Sequence, residues 1–210
     1  MIIVTTPMCE KILEFAGISE YKVNKNPDNE DGDLAILLSE SKTKMNSLSI
    51  KLNTFSQIKE SIIEVSKIKD TENAENISKN QISEEKINDI FTQYSIANIW
   101  ISNEKKDFQE KNSKIKVKVY SKFLHDIVKD MGFSIIDGVE ESSDFDYTVL
   151  PDYMNIDEIN IYDNSNLSTN YFSSQNHEII PIPTHKSVPR DPIKRAEIRY
   201  SILNDLKIKI

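Results

Sequence analysis

The sequence predicts an α/β protein of two related β-α-β-β units, bilobed or pseudo-twofold, with a C-terminal helix packing back. Three observations lead there. The first is an internal repeat: residues 2–38, from IIVTTPMCEKILEFAGISEYKV to DLAILL, have a counterpart in residues 117–150, from VKVYSKFLHDIVKDMGFSIIDG to DYTVL. Val4 and Val119, Thr6 and Ser121, Ile12 and Ile127, and Gly17 and Gly132 share one offset of 115 residues. After a two-residue difference in the loop, Asp33 and Leu37 match Asp146 and Leu150. The second observation is that both copies read strand, helix, strand, strand, an order that implies parallel pairing with a right-handed crossover. The third is a terminal segment whose apolar residues recur at helical spacing.

The elements follow in order. A short β-rich run ends at a hydroxyl residue suited to capping a helix, Thr6 or Ser121. A helix of about ten residues comes next. It buries Met8, Ile12, Leu13 and Ala16 in the first copy, and Phe123, Leu124, Ile127, Val128 and Met131 in the second. Pro7 suits its first turn. Gly17 or Gly132 ends it in the left-handed conformation that glycine adopts without cost. A second strand (Tyr21–Val23, Ser134–Ile136) and a polar loop lead to a third (Leu34–Leu38, Tyr147–Leu150). Leu48–Leu52 reads as a strand and Phe55–Ile68 as an amphipathic helix. Residues 70–82 have no apolar period and read as a surface linker. Ser83 caps a helix running to about Ala97. Glu158–Ile161 reads as a strand, Asp163–Asn176 as a loop, and Glu178–Pro183 as extended chain. Asp191 caps the last helix, with Pro192 at its first position. The expected organisation is therefore a first unit over 1–69, a linker and connecting helix over 70–97, a second unit over 98–183 and a C-terminal segment over 184–210.

Composition narrows the function classes. A net charge of -8 argues against a nucleic-acid partner, since most of the surface repels phosphates. Cys9 is the single cysteine, which excludes a disulfide framework and a paired-thiolate metal site. The opening MIIVTTPMCEKILEF lacks a secretory pattern, and no stretch approaches the ~18 apolar residues of a membrane span. The expectation is a cytoplasmic protein with no membrane partner. With four glycines there is no P-loop and no dinucleotide-binding turn. No pattern nominates a nucleophile together with a base, and the identity of any cofactor is left open.

One segment stands apart. Arg190, Arg195 and Arg199 are the only arginines, against 23 lysines, and all lie in HKSVPRDPIKRAEIRY. The guanidinium fork grips a carboxylate or phosphate with two hydrogen bonds and stays charged when partly buried. On the helix, Ile193, Ala196, Tyr200, Leu203 and Leu206 share one face. Arg195 and Arg199 flank it, project together, and should be at least half buried with carboxylate partners or a bound anion. Two readings result: a structural ion-pair anchor, favoured because buried charges are usually paired within the protein, or an anion site joined by His185 and Lys186. Backbone donors at the helix starts near Thr6 and Ser121 would complete such a site.

Other candidates are weaker. Cys9 falls in the first turn of a helix, where the dipole lowers a thiol pKa, but its match, Leu124, points to a packed position. His125, His177 and His185 lack metal-site spacing. Asp31, Asp33, Asp144 and Asp146 precede matching strands, and loops entering strands carry such residues without a cation.

The opening MIIVTTPMCEKILEFAGI and the closing HKSVPRDPIKRAEIRY resemble an uncharacterised protein family of methanogenic archaea, which implies a cytoplasmic archaeal protein and no particular activity. Each repeat is also similar in layout to one lobe of the bilobed metal-complex and tetrapyrrole receptors, including nitrogenase-like lobes, without their signal segment or cluster-binding cysteines. The leading expectation is a noncatalytic binding protein for a small anionic ligand or cofactor held between the units. The rivals are an assembly factor whose acidic surface docks a basic protein partner, and an enzyme acting on a phosphorylated or carboxylated metabolite.

Overall fold

The computed structural model describes residues 1–68, 82–102, 104–136, 145–154, 178–184 and 188–207. The expected linker over 70–82 lies outside them except for Ile82, and the expected strand at Glu158–Ile161 and loop at Asp163–Asn176 lie wholly outside them. Contacts divide the chain into two units, residues 1–103 with 189–197, and residues 104–188 with 198–210.

Unit 1 runs β1 (Ile3–Thr5), α1 (Glu10–Phe15), β2 (Lys22–Val23), a 3-10 turn (Pro27–Asn29), β3 (Leu34–Leu38), β4 (Ser47–Ile50), α2 (Phe55–Ser66), α3 (Glu84–Thr92) and α4 (Ser95–Ile101). Unit 2 runs α5 (Lys105–Asn112), β5 (Lys116–Val119), α6 (Lys122–Asp130), β6 (Ser134–Ile135), β7 (Tyr147–Pro151) and β8 (Glu178–Ile182). A final helix, α7 (Pro192–Asn204), gives its residues up to Glu197 to unit 1 and the rest to unit 2.

The duplication is a structural fact. The sheets have strand orders β2-β1-β3-β4 and β6-β5-β7-β8, and every neighbouring pair is parallel. Such sheets are covered on both faces, which explains why β3 reads LAILL and β7 reads YTVLP, apolar almost throughout. The helices end alike. Gly17 (φ +79°) donates to Glu14 and Ile18 to Leu13; Gly132 (φ +83°) donates to Lys129 and Phe133 to Val128. This is the paired closure of a Schellman cap at equivalent residues. The strands also start alike. Asp33 gives its N–H to Ile2 O while its carboxylate accepts from Ile2 N; Asp146 repeats both bonds with Lys116. These two aspartates clasp the start of the first strand in each unit and need no cation to account for them.

Some boundaries differ from expectation for local reasons. α1 begins only at Glu10, because Thr6 O accepts from both Cys9 and Glu10 and closes a preliminary turn over Pro7. The helix expected to run to Ala97 stops at Thr92: Tyr94 is extended (φ -123°, ψ 122°), and its hydroxyl donates to Asp191 at 2.7 Å. The helix α5 was not anticipated, since KKDFQEKN holds one apolar residue, Phe108. Polar bonds to the end of α6 hold it instead. Lys105 pairs with the Asp130 carboxylate at 2.8 Å, Gln109 donates to Asp130 O at 2.7 Å, and Asn112 donates to Met131 O at 2.9 Å. No described helix is long and apolar enough to cross a membrane.

Candidate functional site

Helix α7 is fixed at its start by Asp191. One carboxylate oxygen accepts from Ile193 N (2.9 Å) and Lys194 N (3.1 Å), as a capping residue should, and the other takes the Tyr94 hydroxyl. Tyr94 is itself pushed to a higher pKa by burial first and by this carboxylate second, so the phenol stays a neutral donor. The apolar face is as the periodicity requires: Ile193, Ala196, Tyr200, Leu203 and Leu206 are buried.

The arginines of α7 lie deeper than the flank position implied. Arg195 is 2% exposed and Arg199 is 6% exposed. The partners expected for them were carboxylates or an anion; the acceptors found are main-chain carbonyls. In unit 2, Arg199 Nε donates to Pro183 O at 3.0 Å and Nη2 to Thr184 O at 3.2 Å. Its guanidinium also lies 5.0 Å from the centre of the Phe123 ring, a cation–π distance. Carbonyl oxygens just beyond β8 thus fill the Nε–Nη2 edge of this fork. In unit 1, Arg195 is held less well. Its Nη1 reaches Met8 Sδ at 3.6 Å and Pro189 O at 3.5 Å, a weak acceptor and a bond at the limit of length. Among the described residues, neither Nε nor Nη2 of Arg195 meets an acceptor, and no carboxylate lies at ion-pair distance.

The two arginines face equivalent positions of the repeat. Met8 and Phe123 differ by the same 115 residues as Gly17 and Gly132. Each unit therefore receives one arginine from α7 beside the turn that follows its first strand, at the carboxyl ends of the strands where open α/β sheets bind ligands. This correspondence was available in the sequence as the apolar residue two positions beyond Thr6 and Ser121. It gained meaning only once the helix was seen to serve both copies.

The electrostatics of unit 1 are simple. Burial lowers the pKa of Arg195, opposed by the nearby charges of Cys9 and Asp191. The Cys9 thiol contributes nothing at neutral pH. It is fully buried, and desolvation raises its pKa to about 11 despite a hydrogen bond with Thr6 and the charge of Arg195. Burial outweighs the helix dipole, and Cys9 is a packed thiol at the start of α1, as its match with Leu124 implied. Among the described residues, Asp191 is the remaining charge that favours the Arg195 cation, and it is already engaged by Tyr94 and the helix amides.

The other sequence-nominated residues fall as follows. Thr6 bonds the Cys9 thiol and does not cap α1 with its side chain. Ser121 occupies the capping position of α6 but makes no side-chain capping bond. Arg190 is exposed at the turn before α7. His185 and Lys186 lie outside the described residues, as do His177 and Asp144. Among the described residues, no group of three or more His, Cys, Asp or Glu side chains could hold a metal ion.

No family model matches the chain, and no curated protein sequence matches it. Solved structures do. The metal-dependent lipoprotein YcdH from Bacillus subtilis is similar with a TM-score of 0.50 and 11% identity, covering 98% of each chain. The laminin-binding protein Lbp of Streptococcus pyogenes reaches a TM-score of 0.52 at 9% identity over 96% of this chain and 97% of its own. A Mn-bound periplasmic metal binding protein from Candidatus Liberibacter asiaticus gives 0.52 at 9% identity over 97% and 98%. At these identities the likeness establishes a shared fold.

Proposed function

We propose that the chain is a noncatalytic binding protein for a small anionic ligand, with Arg195 as the charge that recognises it. The observation that carries the reading is the contrast between two arginines in equivalent settings. Arg199 has two main-chain acceptors and an aromatic face; Arg195, more deeply buried, has among the described residues only long contacts through one nitrogen. A buried guanidinium without good acceptors costs free energy that an arriving anion recovers. The fold supports a binding role, since the similar solved proteins include metal-binding ones and ligands in open α/β sheets sit at the carboxyl ends of strands. The chemistry of the described residues favours an anion over their metals, because no metal-holding cluster occurs among them.

A thermal-shift series on the full chain tests this. Acetate, inorganic phosphate, sulfate, Mn²⁺ and Zn²⁺ are titrated at constant ionic strength. At least one anion should raise Tm in proportion to the logarithm of its concentration, as expected of a ligand that binds only the folded state. Stabilisation by Mn²⁺ or Zn²⁺ with none by any anion would overturn the proposal.

A further inference from the structure

Resting on that reading, we infer that the group Arg195 accepts is a single carboxylate, taken side-on through Nε and Nη2. The duplicated unit supplies the template. In unit 2 that edge of Arg199 receives two oxygens, Pro183 O at 3.0 Å and Thr184 O at 3.2 Å, from the two residues that follow β8. In unit 1 the residues that follow the corresponding strand, β4, are Lys51 and Leu52. Lys51 O is taken by the Ser61 hydroxyl at 2.9 Å, so it is committed to α2 and not to the arginine. The chain thus offers Arg199 a two-oxygen acceptor on one edge and, among the described residues, offers Arg195 none there. A carboxylate presents two oxygens in the plane and spacing that parallel N–H bonds of this edge require.

Charge decides between a carboxylate and a phosphate dianion. Among the described residues, those acting on or touching Arg195 include the neutral Cys9 thiol, the thioether of Met8 and the Asp191 carboxylate. One monoanion balances the guanidinium. A dianion would leave an uncompensated negative charge beside the Asp191 carboxylate, at a desolvation cost that grows steeply with charge. Since Arg195 is 2% exposed, the ligand reaches it through local opening, and association should be slow for so small a molecule.

The test is an NMR titration of the full chain labelled with ¹⁵N-arginine, using acetate, propionate, inorganic phosphate and sulfate as probes. Arg195→Lys assigns the Arg195 Nε–H signal by its disappearance. The expected result is a saturable shift and slowed hydrogen exchange of that one signal with acetate or propionate, and at least tenfold weaker response to phosphate and sulfate. Arg195→Lys should keep the fold and weaken carboxylate binding at least tenfold, because an ammonium replaces the fork by a point charge. Arg199→Lys should leave carboxylate affinity within twofold. Tighter binding of phosphate or sulfate than of carboxylates at Arg195 would overturn this inference and leave the anion reading standing. No response of Arg195 to any of the four anions would overturn both.

Discussion

Replacing Gly132 and Gly17 by alanine separates two physical effects that one cap combines. Both residues close a Schellman cap with positive φ, +83° and +79°, which an alanine adopts at a cost of roughly 1–2 kcal/mol. They differ in what a new Cβ meets. At Gly17 nothing lies within 4 Å, whereas at Gly132 the Cβ would stand 2.6 Å from Gln109 Cα and 2.8 Å from Gln109 O. Those are main-chain atoms of α5, itself pinned to the end of α6 by Gln109, Asn112 and Lys105, so they cannot swing aside. The forced shift adds about 1–3 kcal/mol, the usual range for overpacking. Gly17→Ala should then lose about 1–2 kcal/mol, and Gly132→Ala about 2–5 kcal/mol, from the same conformational term plus the clash. Urea unfolding followed by circular dichroism reads the total. Hydrogen exchange of the Ile18 and Phe133 amides, which close the two caps, reads each cap locally. Gly17→Asn should recover most of the loss because asparagine tolerates the left-handed region, while Gly132→Asn should recover little. Equal losses for the two alanine variants would refute the claim that approach to α5 constrains the second glycine.

Four further outcomes are expected. Arg199→Met leaves Pro183 O and Thr184 O without these donors and should cost about 2–6 kcal/mol in urea unfolding, since each buried unsatisfied carbonyl costs about 1–3 kcal/mol. Cys9 should react with a thiol reagent at neutral pH far more slowly in the native chain than in urea. Its folded pKa, about 11, lies above the ordinary 9.0, so the folded state holds its proton longer, and stability should fall as pH rises from about 9 to about 11, a loss that Cys9→Ala removes from the alkaline melting profile. Asp33→Ala and Asp146→Ala should each destabilise by about 1–3 kcal/mol, the usual worth of a hydrogen bond to a charged group, measured by thermal melts. Asp28 is held below the ordinary carboxylate range by the Thr43 hydroxyl and the Lys44 amide, so an NMR titration should find it ionised at a pH where exposed aspartates are half protonated, with its stabilising effect lost as pH falls through that lowered value.

The repeat was legible because its punctuation is local. A glycine with φ near +80° announces itself wherever it falls, and so does an aspartate before a buried strand. The periodicity of α7 likewise identified its buried face, including Tyr200 and Leu203. What failed was whatever depends on partners far along the chain. Helix α5 has almost no apolar face and exists through bonds to Asp130 and Met131, which a pattern of its own residues does not carry. The acceptors of the arginines were missed for the same reason: a carbonyl belongs to every residue, so nothing in PIPT marks Pro183 and Thr184 as the ones turned toward Arg199. A carboxylate partner was the natural guess because side chains are what a sequence spells out. The hydroxyls of Thr6 and Ser121 were assigned caps by their position before a helix, and one turn over Pro7 was enough to move the true start of α1 to Glu10.

The division of α7 after Glu197 bears on how the chain matures. Unit 1 begins at the first residue, yet Ile193, Arg195 and Ala196, buried members of that unit, lie near the other terminus. During synthesis unit 1 therefore cannot be finished until residues 104–188 have been made, because its residues 189–197 follow them. Its β1 turn and the Met8 side chain must wait, uncovered, for a helix made after the described strands of unit 2. A chain cut at residue 103 would carry a unit 1 without residues 189–197, its own final layer.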